Sequence, residues 1–233
     1  MSLNKNKVQL VGFYGSDLTH AQSAWTSTQR DLTKDKIKRI PALLKMLADN
    51  GHHSVFEKSS FHFLVDTDIA SHIHLLKHRV GVSMNGESAR YKEIKEDKYI
   101  VPDDWLGIKR TNDEDFESEN SDVFWSDALI CYTELGNKLY HSCLKDLEST
   151  LGRKRAKESA RFFKTYNSQI QADIMFNWRS FYHFLNLRNK PDAQKEIKDI
   201  AFEMLNLVRN ISGDPFKYTI EAFGLLEKPL DNP

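Results

Sequence analysis

Apolar positions along this chain switch between two periods, and the switches mark its elements. Alternation over residues 8–14 (VQLVGFY) predicts a first strand, closed by Gly15, Ser16 and Asp17. Helical spacing follows over residues 19–29 and 35–49, where Pro41 marks a helix start or a kink and Gly51 a stop. Residues 60–65 (SFHFLV) are aromatic and β-branched, which predicts a second strand; Asp66 or Thr67 then caps a helix running to about His78. The polar stretch 93–119, with Pro102 and several acids, reads mostly as loop. From about 121 to 148, Phe124, Ala128, Cys131, Leu135, Leu139, Cys143 and Leu147 recur at three- or four-residue spacing, so a long helix is expected. Further helices are predicted over 153–163, 178–187 and 192–209, the last with Pro191 near its start, and a strand over 170–176. The chain closes with 215–223 and a Pro-containing tail expected to fray after about 226. Long helices, few strands and no βαβ alternation imply an α+β fold, a small mostly antiparallel sheet flanked by long helices.

Size and charge narrow this picture. A chain of 233 residues, 40% hydrophobic and 28% charged, has the balance of a soluble globular protein with a substantial core. Its 33 basic and 33 acidic residues cancel, so no global field favours nucleic acid or membrane, and any anion site must be local. Cys131 and Cys143 both fall on the apolar stripe of the long helix and are expected in the core, not as nucleophiles. They cannot build a disulfide framework, and no Cys/His spacing suggests a metal. A reducing, cytoplasmic setting is the expectation, with neither a signal region nor an apolar run of membrane-spanning length.

Four polar clusters stand where a purely structural protein has little use for them. Gly51 to Glu57 (GHHSVFE) puts two histidines, a hydroxyl and a carboxylate between a helix-ending glycine and a strand. Lys77 to Tyr91 carries Lys77, His78, Arg79 and Arg90 with serines, Asn85, Gly86 and Glu87. Cations beside a glycine, which lets backbone N–H groups approach closely, suit a phosphate-bearing ligand; a solvated surface loop is the plain alternative. Arg161 follows a basic run from Arg153 to Lys157 that reads as a solvated helix face, but it immediately precedes Phe162 and Phe163, where a guanidinium usually has a specific anionic partner. In Asn177 to Arg188 (NWRSFYHFLNLR), Arg179 and His183 share a helix face among large apolar residues, which suggests a lined pocket; buried arginines paired with acids are the alternative.

In this order and spacing the clusters resemble the flavin-dependent thymidylate synthases. That family carries Arg-His-Arg-x7-Ser, usually continued as Ser-x-Asn-Glu-x-Ser-x-Arg-Tyr. Here it stands as Lys77-His78-Arg79, eight residues, then Ser88-Ala89-Arg90-Tyr91, with Ser83 and Asn85 in place. Gly51 to Glu57 matches Gly-His-x-Ser-x-Phe-Glu, and Asn177 to Arg188 matches Asn-x-Arg-Ser-Leu-x-His-Phe-x-x-Leu-Arg with Phe181 for Leu. Ala193-Gln194-Lys195-Glu196-Ile197 and Ala222-Phe223 match the usual C-terminal patterns. The likeness spans about residues 20–225, which is read as a single domain over 1–233. It departs at Lys77, at one extra loop residue ahead of Ser83, at Gly86-Glu87 where Glu-x is usual, and at His74 where glutamine is common.

The resemblance implies reductive methylation of dUMP to dTMP, with methylenetetrahydrofolate as one-carbon donor and NADPH reducing FAD. It implies FAD held by Ser54, Glu57, His78, Arg79, Asn177, Arg179 and His183, and dUMP by His74, Glu87, Ser88, Arg90, Arg161 and Arg188, with Lys77 reaching both ligands. Arg188 is the implied catalytic residue, its guanidinium stabilising negative charge on the uracil edge. It further implies a cytoplasmic homotetramer with active sites between subunits, no metal, and no nucleic-acid or membrane partner. Ser88 lacks a base with an orienting group, so it reads as a phosphate ligand. The competing readings are a non-catalytic relative that binds nucleotide or flavin, and a helical nucleic-acid-binding module built on Arg153 to Lys157.

Overall fold

The computed structural model describes residues 5–88, 90–110 and 124–226. The acidic 111–122 segment, the expected helix start at Ser121, the tail beyond 226 and Ala89 of the signature lie outside the described residues. In chain order the elements are β1 (Lys7–Tyr14), α1 (Asp17–Trp25), α2 (Lys34–Lys38), α3 (Ile40–Asp49), a 3-10 turn (His53–Lys58) and β2 (Ser60–Asp68). Then come α4 (Ile69–Leu76), β3 (Val82–Gly86), α5 (Trp125–Ala160), β4 (Gln169–Phe176), α6 (Trp178–Arg188), α7 (Lys195–Arg209) and α8 (Lys217–Ala222). The fold is α+β, with an antiparallel sheet in the order β1-β2-β4-β3.

Local chemistry explains where the boundaries differ from expectation. Ser16 begins α1 early because its hydroxyl accepts the Thr19 N–H at 3.3 Å. Pro41 sits in the first turn of α3, which separates it from α2. Strand β2 runs past Asp66 and Thr67, and Asp68 is the residue that accepts the Ser71 N–H, at 2.8 Å. The two helices expected over 121–163 run together as α5, broken at Gly152, whose φ of 76° is left-handed. Helix α7 begins at Lys195, later than residue 192, since Pro191 lies in the preceding turn. The signature segment, expected as a turn, contains the edge strand β3.

The chain forms two compact units. One comprises Lys7–Val65, His74–Asn85 and the chain from Ala172 on. Its core is aromatic: Phe61, Phe63, Phe176, Trp178, Phe181, Phe184 and Phe216 are fully buried among Leu44, Ile174, Ile197, Met204 and Leu205. Helix α7 shows why it packs there, since Ile197, Ile200, Ala201, Met204, Leu205 and Val208 fall on one face. The buried members of Trp178, Phe181, Phe184 and Leu185 likewise fix the roll of α6, leaving Arg179 and His183 outward.

The other unit is centred on Asp66–Ile73 and Gly86–Gln171. Its small core holds Tyr140, Leu144, Ala156 and Ala160. Contrary to expectation, Cys131 is exposed and Cys143 half-buried. The inward face of α5 is instead Thr133, Gly136, Asn137, Tyr140 and Leu144. This face accepts backbone: a Cβ on Gly136 would lie 2.6 Å from the Phe163 carbonyl oxygen. Thr133 donates to Asn167 at 3.1 Å, and Lys164 donates to Asn137 at 2.7 Å. Among the described residues, no helix is long and apolar enough to cross a membrane.

Candidate active site

In the first unit, α6 gathers most of the residues expected to hold a flavin. Asn177 caps the helix, its Oδ1 accepting the Ser180 N–H at 2.8 Å. The hydroxyl of Ser180 donates to the Gly81 carbonyl at 2.8 Å, so the loop after Arg79 is fastened to the first turn of α6. Gly81 has a φ of 68°, and a Cβ there would meet the Asn177 amide at 2.8 Å. Only glycine fits both the backbone and the contact. In the first turn of the helix, Arg179 donates to Glu57 at 2.6 Å, joining α6 to the 3-10 turn that also carries the exposed Ser54. That turn is held from beneath by Phe223, whose ring lies 4.8 Å from Phe56 and 4.5 Å from Tyr182.

At the far end of α6, Arg188 Nε donates to His78 Nε2 at 3.2 Å. An arginine can only donate, so the His78 proton resides on Nδ1. Burial, and then the charge of Arg188, hold the His78 pKa down to about 4, and the ring is neutral at pH 7. Its faces meet Phe184 edge-on at 5.0 Å and His183 at 6.2 Å. His74 Nε2 lies 3.0 Å from the side-chain oxygen Oε1 of Gln194, whose Nε2 donates in turn to Glu196 at 2.8 Å. Lys77 and Arg79 are exposed. A cavity of about 540 Å³ adjoins Glu57 and is lined by Arg30, Lys58 and several hydroxyls.

The other unit holds the remaining nucleotide candidates. The Ser88 carbonyl accepts the Tyr91 and Lys92 N–H groups at 3.1 Å, and its hydroxyl accepts the Arg90 N–H at 3.3 Å. Glu87 accepts Lys92 at 3.0 Å, and its backbone N–H donates to the Gln171 carbonyl at 2.8 Å. Arg90 Nε donates to Glu158 at 2.9 Å. Arg161 closes the same helix that carries Glu158, and it is exposed. Phe162 and Phe163, which follow it, are 81% and 40% exposed.

Ser180, Gly81, Lys58, Arg30 and Glu158 were not singled out by sequence. The signal for Glu158 was faint: it stands three residues from both Arg155 and Arg161, just past a run that composition marks as solvated. Gln194 sat in a matched motif with no role attached to it.

Comparisons with known proteins point to one family. The family model described as "Thymidylate synthase complementing protein" matches residues 9–212. A flavin-dependent thymidylate synthase of Kosmotoga olearia is 28% identical over 89% of this chain and 87% of its own length. One from Thermosipho africanus is 30% identical over 95% of this chain and 92% of its own. Among solved structures, a UMP/dUMP methylase, PolB of Streptomyces cacaoi, bound with 5-Br dUMP, superposes with a TM-score of 0.76 at 26% identity, covering 96% of this chain and 97% of that one. With its sequence motifs, its fold and a match over most of its length in agreement, this chain belongs to the flavin-dependent thymidylate synthase family.

Proposed function

We propose that the chain acts as one catalytic domain of a flavin-dependent thymidylate synthase, methylating dUMP to dTMP. Methylenetetrahydrofolate is the one-carbon donor and NADPH the reductant. The observation that carries this reading is the Arg188–His78 hydrogen bond at 3.2 Å, which joins two signature motifs 110 residues apart. A neutral histidine that accepts from Arg188 aims its guanidinium without competing for an anion.

The donor set suits FAD. Arg79, Arg179 and His183 are outward-facing donors near the capped start of α6, and Lys77, exposed beside them in sequence, reaches between cofactor and nucleotide. Ser54 and Glu57 offer acceptors to hydroxyl groups, and Asn177 and His78 complete the set. The cavity beside Glu57 adds two cations, which suits an extended, phosphate-bearing cofactor. When bound, the flavin supplies the hydride chemistry; the chain's own residues bind and orient.

For dUMP, the assigned ligands are His74, Lys77, Glu87, Ser88, Arg90, Arg161 and Arg188. Arg188 places a fixed positive charge on the uracil edge, where negative charge develops as N3 ionises or C5 gains electron density. The functional assembly is a homotetramer with active sites between subunits. UMP is a second substrate reading, favoured by the likeness to a protein described as a UMP/dUMP methylase.

Purified protein should be yellow, release FAD on denaturation, and liberate tritium from 5-tritiated dUMP only with methylenetetrahydrofolate and NADPH present. The same assay with 5-tritiated UMP decides the second substrate. Colourless folded protein that takes up no flavin, or flavin-loaded protein without tritium release, would overturn the enzymatic reading. The latter result, with dUMP bound, would favour a non-catalytic relative.

A further inference from the structure

We propose that Glu158 is a positioning residue for the substrate's phosphate, holding Arg90 so that its two terminal nitrogens face the nucleotide. The proposal rests on the dUMP assignment above.

Arg90 precedes Tyr91 and Lys92, whose N–H groups bond the Ser88 carbonyl, and its side chain is 48% exposed. A long cation in that setting samples many rotamers, and every bound geometry costs the entropy of selecting one. Glu158 removes that freedom beforehand. Its Oε1 accepts from Arg90 Nε at 2.9 Å, and Nε lies on the inner edge of the guanidinium. The outer pair of nitrogens stays available for the two-pronged grip that suits phosphate oxygens.

The adjoining residue strengthens the clasp. Lys157 Nζ donates to the Tyr91 carbonyl at 3.0 Å, so successive residues of α5 hold both the backbone and the side chain of the turn. The second oxygen of Glu158 lies 3.6 Å from Arg155. The carboxylate is therefore shared between two guanidinium groups, and its repulsion of a phosphate dianion is offset locally. Arg161 stands three residues further along the chain, one turn from Glu158. One helix end thus anchors Arg90 and also supplies a second arginine assigned to the nucleotide, Arg161. Mutual hydrogen bonding keeps the pair ionised: Glu158 lowers toward the charged form beside Arg90, and Arg90 rises beside Glu158.

The test compares dUMP with deoxyuridine, which lacks the phosphate, by calorimetric binding to the flavin-loaded enzyme. Glu158→Ala should weaken dUMP about tenfold, the scale of one hydrogen bond to a charged group, and leave deoxyuridine unchanged. Glu158→Gln keeps an acceptor for Nε and should recover most of that loss. Arg90→Ala should bind dUMP weakly, and adding Glu158→Ala to it should cost nothing more. Unchanged dUMP binding in Glu158→Ala would overturn the inference. So would equal weakening of dUMP and deoxyuridine, or additive losses in the double variant. A folded, flavin-loaded wild type that binds no dUMP would instead sink the nucleotide assignment itself.

Discussion

The sharpest physical test of this fold lies away from the candidate site, at His20. The ring is fully buried, with Nδ1 3.0 Å from the Thr219 hydroxyl and Nε2 2.9 Å from the Ser59 hydroxyl. Thr219 donates its own proton to Asp17 at 2.6 Å, so its oxygen accepts from Nδ1–H and Nε2 is left to accept from Ser59. A second ring proton would meet the hydroxyls of Ser59 and Thr219, with Asp17 reached only through Thr219, and burial pushes the His20 pKa down from 6.5 to about 3. Between those values the unfolded chain binds a proton that the folded chain refuses. The stability supplied by neutral His20 is therefore complete above pH 6.5 and is lost as pH falls toward 3. At about pH 5 the loss from this group is about 2 kcal/mol, and it changes little if the folded value is a unit higher. Urea unfolding at fixed protein concentration, near pH 7 and near pH 5, measures it in wild type and His20→Gln. The variant should be weaker overall, but its loss on acidification should be smaller by about 2 kcal/mol. His78, which burial also holds low, is common to both proteins and cancels. Equal acid losses in the two proteins would refute the argument that His20 is folded as a neutral, doubly bonded base.

Three further outcomes follow from the same geometry. Arg188→Ala should lower turnover by at least about a hundredfold, the usual cost of deleting a donor to developing negative charge. Single-turnover flavin oxidation with dUMP bound reads this directly. Arg179→Ala should change unfolding free energy by less than about 1 kcal/mol, because its ion pair with Glu57 is largely exposed, yet flavin retained on gel filtration should fall. Gly136→Ala forces a methyl group against the Phe163 carbonyl oxygen and should destabilise by about 1–3 kcal/mol, read as a lower urea midpoint.

Elements whose sequence period matches their burial were legible in advance. Strand β2 alternates half-buried and buried positions from Ser60 onward, and α6 buries its apolar stripe while turning Arg179 and His183 out. The strand β3 was not legible, because Val82–Gly86 is a short, polar edge strand inside a segment dominated by cations and glycine. For the site, motif order supplied the residues assigned to ligands, yet it carried no sign of what holds them. The supports are backbone and second-residue contacts: Gly81 beneath Asn177, Ser180 on the Gly81 carbonyl, and Glu158 on Arg90. Such contacts depend on tertiary neighbours, and a one-dimensional pattern carries no record of them.

Helix α5 teaches the most, because there the periodicity is real and its interpretation fails. The stripe through Cys131, Leu135 and Leu139 predicts an inward face, but Leu135 is 55% exposed and Cys131 is on the surface. The inward face is chosen by fit to a backbone. Gly136 admits the Phe163 carbonyl, Thr133 joins Thr165 on the Asn167 side-chain oxygen, and Asn137 shares Lys164 with Asp97. Apolar side chains at Thr133 and Asn137 would forfeit these bonds, at about 1 kcal/mol each, and one at Gly136 would collide with the Phe163 carbonyl. A helix can thus carry two faces, one shaped for its own chain and one apolar and outward. Hydrophobic periodicity detects the second just as readily as the first. In the homotetramer proposed above, an apolar outward stripe of this kind has a further copy of the chain to meet, which a single chain cannot offer it.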